Sequence, residues 1–170
     1  MSEIVIKEGD LTFIFNEFIL VEKYDDLSFY RNQFNAFANG TKAVDIIVVD
    51  ENDNWMIEVK DYRQYQRTKT IPLADEIAIK VRDTLAGIVA MKLNANNQSE
   101  QQFAKQFLKK NKIKIVLHLE QKRSNSRLFP QPIDPAKLKQ KLKMLLKAVD
   151  AHPFVVDKDS LHSTMHWKVI

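Results

Sequence analysis

Asp45, Glu58 and Lys60 are the residues of this chain whose types and spacing could do chemistry. They sit in AVDIIVVDENDNWMIEVKD, where two strand-like apolar runs, 43–49 and 54–61, are separated by polar turn-formers from Asp50 to Asn54. If the runs pair antiparallel about an even turn, either 51–54 or 52–53, paired residue numbers sum to 105. Asp45 then faces Lys60, and Ile47 faces Glu58. Side chains alternate faces with a period of two, so Asp45, Glu58 and Lys60 share a face, with Asp45 about 7 Å or less from Glu58 on the diagonal. An odd turn would scatter them. Two carboxylates converging among Ile, Val, Trp and Met repel each other and are costly to desolvate. A hard divalent cation, Mg²⁺ or Mn²⁺, held by Asp45, Glu58 and the carbonyl of Val59 would relieve both costs. Lys60 could then orient or deprotonate a water, or neutralise charge growing on a phosphate. The plainer account is a salt-bridged strand pair on an exposed face, and an E-x-K triplet recurs at Glu120 and Lys122.

The elements that must position these residues follow from periodicity. Leu73, Ile77, Val81, Leu85 and Ile88 recur at helical spacing and predict an amphipathic helix over 73–93. A shorter helix follows over 99–110, and KIKIVLHLE (112–120) alternates like a strand. Asp134 as N-cap and Pro135 at the first position start a helix that ends near Asp150, with Leu138, Leu142, Leu145 and Val149 on one face. Residues 152–156 and 165–170 read as short strands. Residues 11–24 are apolar on every side and are taken as a buried helix, with a hairpin as the alternative; 27–38 suggest a strand and a turn. The class is α/β or α+β with a mixed sheet, in a single domain over 1–170.

An aspartate early in one strand, a turn, then Glu58-Val59-Lys60 in the next strand and a long amphipathic helix resembles the PD-(D/E)XK nuclease superfamily. The resemblance is good over about residues 43–120. Val44 stands where that family often has proline. It implies a restriction endonuclease-like αβββαβ core, a mixed central sheet flanked by helices. It also implies metal at Asp45 and Glu58, Lys60 as the water-activating residue, and hydrolysis of nucleic acid phosphodiesters, DNA first. Glu17 or Glu22 could supply a further acid. A second reading keeps that fold without activity, as a module binding nucleic acid or a protein; a third is an interaction module for an uncharged substrate. The family pattern also admits a homodimer.

Directly after the triplet, DYRQYQRTKT (61–70) interleaves Arg63, Arg67 and Lys69 with Tyr62 and Tyr65. Cations can neutralise phosphates and tyrosines can stack on bases, so this loop is a candidate nucleic-acid contact, or else a solvated connector. Lys80 and Arg82 are weaker candidates of the same kind. The lysines at 137, 139, 141, 143 and 147 fall mostly opposite the leucine face and read as solvated surface. His162 and His166 lack the context of a zinc site, and His118 reads as a packed core histidine.

Composition sets the outer bounds. Three glycines in 170 residues leave no G-x-G-x-x-G or G-x-x-x-x-G-K-[ST] phosphate cradle, and the absence of cysteine removes thiolate metal sites, disulfides and cysteine nucleophiles. No apolar run approaches the roughly 20 residues of a membrane span, and MSEIVIKEGD lacks the build of a signal peptide; the expectation is a cytoplasmic protein without a membrane partner. The net charge of +4 conceals a division: residues 1–61 hold 5 basic and 13 acidic side chains, and residues 62–170 hold 21 and 9. The acids therefore concentrate where the candidate ligands lie.

Overall fold

The structure, a computed structural model, describes residues 3–17, 19–122 and 132–170. Its strands are β1 (Ile4–Glu8), β2 (Leu11–Phe15), β3 (Leu20–Lys23), β4 (Ile46–Val49), β5 (Asn54–Tyr62), β6 (Ile113–Gln121), β7 (Phe154–Val156) and β8 (Trp167–Val169). The helices are α1 (Leu73–Asn94), α2 (Gln98–Phe107) and α3 (Pro135–Leu146). A five-stranded mixed sheet in the order β3-β4-β5-β6-β7 forms the centre. Strands β3, β4 and β5 are antiparallel; β5, β6 and β7 are parallel, with α1 and α2 crossing between β5 and β6 and α3 between β6 and β7. A parallel step needs such a crossover, because a tight turn cannot return the chain to the same end of the sheet.

The two faces of the central sheet are covered differently. Ile47, Val49 and Met56 face α1, α2 and α3, joining Ile77, Val81, Ile88, Phe103 and Leu142 in one core. Ile46, Val48, Trp55, Ile57 and Val59 face the other way and pack under a three-stranded sheet, β1-β2-β8, through Phe13, Phe15 and Trp167. The central strands are thus buried on both faces, which is why they read as nearly continuous apolar runs. Helix starts follow the capping signals. Asp134 accepts from the amides of Ala136 and Lys137 at 2.9 and 3.3 Å, and Asn97 accepts from Ser99 and Glu100 at 2.9 and 3.3 Å.

Two expectations are corrected. Residues 11–24 hold two strands in place of the expected helix, within the expected α+β class of a mixed central sheet flanked by helices. Leu11, Phe13 and Phe15 alternate with partly exposed Thr12 and Ile14, the period of a half-buried strand, and Leu20–Lys23 form a second one. Residues 27–38 contain no strand; short helical turns at Tyr24–Asp26, Tyr30–Phe34 and Phe37–Asn39 fill that stretch. Among the described residues, no helix is long and apolar enough to cross a membrane.

Candidate functional site

The hairpin carrying the triad is real, but its register differs from the expected one. Ile46 pairs with Ile57 and Val49 with Asn54, so paired numbers sum to 103, and the four-residue turn is 50–53. Extending that register puts Asp45 opposite Glu58 instead of Lys60. The slip is two residues, which preserves parity, so all three side chains still project from the helix-covered face. Asp45 Oδ2 accepts from the Val59 amide at 2.6 Å, which ties the two strands at the site. Val59 thus contributes its backbone here, while its side chain lies in the opposite core.

Helix α1 runs across this face and adds Glu76 and Lys80, four residues apart and therefore on one side of the helix. Lys60 and Lys80 both donate to Glu58 Oε1 at 2.6 Å, and Lys80 lies 3.7 Å from Asp45 Oδ1. Lys60 also stands 3.5 Å from Glu76. On the far side of Glu76, Arg67 reaches Oε2 at 2.6 Å and Lys69 reaches Oε1 at 2.7 Å. The result is a continuous ionic chain, Asp45–Lys80–Glu58–Lys60–Glu76–Arg67/Lys69, laid between sheet and helix.

Its electrostatics are uneven. Glu58 is 1% exposed. Burial and then the charge of Asp45 push its carboxyl up to about 7, which Lys80 and Lys60 only partly offset, and its Oε2 is buried without a hydrogen-bond partner. Burial would raise Glu76 too. There the hydrogen bond from Lys69, the charge of Lys60 and the hydrogen bond from Arg67 outweigh it and bring that carboxyl down to about 2. Burial by itself would lower Lys60, but Glu58, Glu76 and Asp45 together hold its ammonium above the usual range. A lysine kept charged in this way can bind or orient an anion.

At the Asp45 end the surroundings are acidic. Oxygens of Glu8, Asp25 and Asp45 lie within 4.8 Å of one another. Burial and then Asp45 raise Asp25 to about 6. Glu8 and Asp25 are therefore the acids that join Asp45. Glu22 lies instead in a groove with α2 residues Gln98 and Phe103, where burial and Glu100 raise its carboxyl, and Glu17 sits in the β2–β3 connection.

Of the expected nucleic-acid contacts, Arg67, Lys69 and Lys80 are brought to the site. Arg63 is not: it continues the alternation of β5 on the other face, where Asp61 holds it at 2.6 Å. Arg82 is not either, being largely exposed and paired with Asp83 at 3.0 Å. His118 is fully buried, edge-on to Phe13 and 3.0 Å from Glu120, as expected of a core histidine. His162 and His166 do not converge; their ring nitrogens engage Thr164 and Asp50 respectively. Sequence reasoning missed Glu76, Glu8 and Asp25. A signal existed for the first, because Glu76, Lys80 and Thr84 form a polar stripe at i, i+4 and i+8 along the buried side of α1.

Comparison with known proteins gives one informative likeness. The chain is 36% identical, over an alignment of 170 residues covering 82% of it, to a protein of Neisseria meningitidis serogroup A / serotype 4A (strain DSM 15465 / Z2491) described as "Cysteine--tRNA ligase". The alignment takes in only 24% of that ligase, so the chain spans about a quarter of its relative's length. No family model and no solved structure matches the chain. The likeness overturns the expectation of a Mg²⁺-dependent nuclease or endonuclease, because the relative that aligns with 82% of this chain is described as a tRNA ligase.

Proposed function

We propose that the chain is an RNA-contacting module related to a segment of a tRNA ligase, and that it holds tRNA phosphates with Lys60, Arg67, Lys69 and Lys80. The observation that carries this reading is the 36% identity, across 82% of the chain, to the Neisseria ligase. The site supports it chemically. Four cations, Lys60, Arg67, Lys69 and Lys80, are gathered on Glu58 and Glu76, with Arg67 and Lys69 at the end away from the acids Asp45, Asp25 and Glu8. Of these cations Lys69 is the most open to an incoming phosphate, its side chain being 59% exposed. With three glycines and no glycine-rich cradle, the chain has no loop of glycine amides to hold a phosphate.

A divalent cation, Mg²⁺ first, fits the acidic end. Asp45 with Asp25 and Glu8, and the unpartnered Oε2 of Glu58, are hard oxygen donors whose mutual repulsion such an ion would relieve. When bound, the ion would supply positive charge that attracts a phosphate. The likeness to the PD-(D/E)XK superfamily is proposed for the sheet-and-helix frame alone.

Filter binding of labelled tRNA and duplex DNA across a salt series tests the reading. The expected result is tRNA retention that weakens steeply with salt, exceeds duplex DNA at each salt concentration, and falls at least tenfold in Lys69→Glu. No retention of tRNA at low salt, or equal retention of duplex DNA, would overturn it.

A further inference from the structure

A cavity of about 340 Å³ opens beside the basic end of the ionic chain and shares Arg67 with it. Its walls are Tyr62 at the end of β5, Gln66 and Arg67 in the connection that follows, Leu73 at the start of α1, Gln121 at the end of β6, and Pro132 and Ile133 ahead of α3. One wall is fixed by Gln121, whose side-chain amide donates to the Ile133 carbonyl at 2.8 Å and accepts from the Ile133 N–H at 3.3 Å. Arg67 is fixed as well, donating to the Lys69 carbonyl at 2.5 Å and to Glu76 at 2.6 Å, while its buried Nε has no hydrogen-bond partner. The first turn of α1 begins here without a side-chain cap. Its first intrahelical bond runs from Glu76 to Pro72 at 3.0 Å, so the amides of Leu73, Ala74 and Asp75 lie ahead of it.

The cavity therefore combines an aromatic ring and aliphatic walls with a rigid guanidinium, and beside it stand Lys69, held on Glu76, and the uncapped start of α1, whose first turn carries Asp75 and Glu76. Apolar walls next to anion-binding groups suit a flat, hydrophobic group covalently joined to a phosphate. A volume near the low end of ligand cavities, about 300–1,000 Å³, suits one such unit and not two. A paired base is already stacked and inaccessible, whereas an unpaired one can be inserted against a tyrosine.

We infer that this cavity takes a single unstacked nucleoside of an unpaired RNA strand, its base against Tyr62 and Leu73 and its phosphate at Arg67, Lys69 and the first turn of α1. The inference rests on the RNA-contacting reading and specifies which part of the RNA this end of the site receives. Unpaired RNA should thus be preferred over blunt duplex RNA, with little dependence on base identity, because stacking is tolerant of sequence.

The test uses the full chain and a labelled RNA hexamer in two forms, one ending in 2-aminopurine and one ending in an abasic ribose phosphate. The expected result is a clear change in 2-aminopurine fluorescence on binding and about tenfold weaker binding of the abasic form. Tyr62→Ala should bind both forms equally weakly, and Tyr62→Phe should restore the preference. Ile133→Trp, which fills the cavity without removing a wall, should abolish the fluorescence change while thermal unfolding shows the chain still folded. If both hexamers bind wild type tightly, equally and with the same salt dependence, the nucleoside site is overturned while the RNA-contacting reading stands. If neither hexamer nor tRNA binds, that reading fails and the nucleoside site with it.

Discussion

Glu58 and Glu76 are both glutamates almost without solvent exposure, at 1% and 0%, lodged between the same sheet and the same helix, yet one carboxyl sits at about 7 and the other at about 2. The difference lies in the company each keeps. Glu58 shares Lys80 with Asp45 and Lys60 with Glu76, and leaves one oxygen unpartnered. Glu76 has both oxygens engaged by Arg67 and Lys69 with Lys60 behind them. Burial pushes both the same way, so the number and placement of cations decide the outcome. The contrast divides the ionic chain into an end suited to a cation and an end suited to an anion.

The largest effect should come from Glu76→Gln. It strands Arg67, Lys69 and Lys60 without their shared anion, and removing one partner of a buried ionic network costs about 3–5 kcal/mol. Urea unfolding at pH 7 should show a loss of that size. Acid should reproduce it in the wild type: a carboxyl lowered on folding contributes stability above about 4.5 that is lost as pH falls toward about 2.

Glu58→Gln should behave in the opposite sense. A carboxyl raised on folding is penalised where it ionises, so the penalty is absent below about 4.5 and complete above about 7. The variant should match wild type at pH 4 and exceed it at pH 8 by up to about 3 kcal/mol, since each tenfold change in an acid's ionisation constant between unfolded and folded chain is worth about 1.4 kcal/mol. Equal losses for Glu58→Gln and Glu76→Gln at pH 8 would break the comparison.

Lys80→Met removes one of the two cations on Glu58 and should move that carboxyl further up, read by carbon-detected NMR titration, with a stability loss of about 2 kcal/mol. A downward move would show that Lys80 is not what restrains it. The smallest effect should be Lys69→Ala, under about 1 kcal/mol in thermal unfolding because the side chain is 59% exposed.

Much of this frame was legible from periodicity and caps. Asp134 and Pro135 marked the start of α3, and the spacing from Leu73 to Ile88 marked α1. The strand over 11–15 was missed because Thr12 and Ile14, on its outer side, are not charged, so a period of two looked like uniform apolarity. At the hairpin, polar residues from Asp50 to Asn54 allowed several even turns, and only pairing with β3 and β6 on either side selected 50–53. Asp45, Glu58 and Lys60 kept a common face because every even turn preserves parity.

Gly87 shows the same boundary between local and long-range information. It lies inside α1, where glycine is unfavourable by about 1 kcal/mol, and nothing nearby in sequence explains it. The fold does: a Cβ there would stand 1.9 Å from the Tyr24 hydroxyl, brought in from 63 residues away. Glu76 was hidden for a related reason. Its placement on the buried stripe could be read, but its three cations come from β5 and from the connection before α1.

The sequence by itself determined the helices, most of the strands, the shared face of Asp45, Glu58 and Lys60, and the absence of a glycine phosphate cradle, because each depends on local period or composition. Only the tertiary structure decided which cations meet which carboxylates, that Arg67 joins the site while Arg63 turns away, and that Glu58 and Glu76 titrate far apart. Those outcomes depend on distances between side chains remote in sequence and on how much water remains between them. Neither quantity exists until sheet and helix have packed.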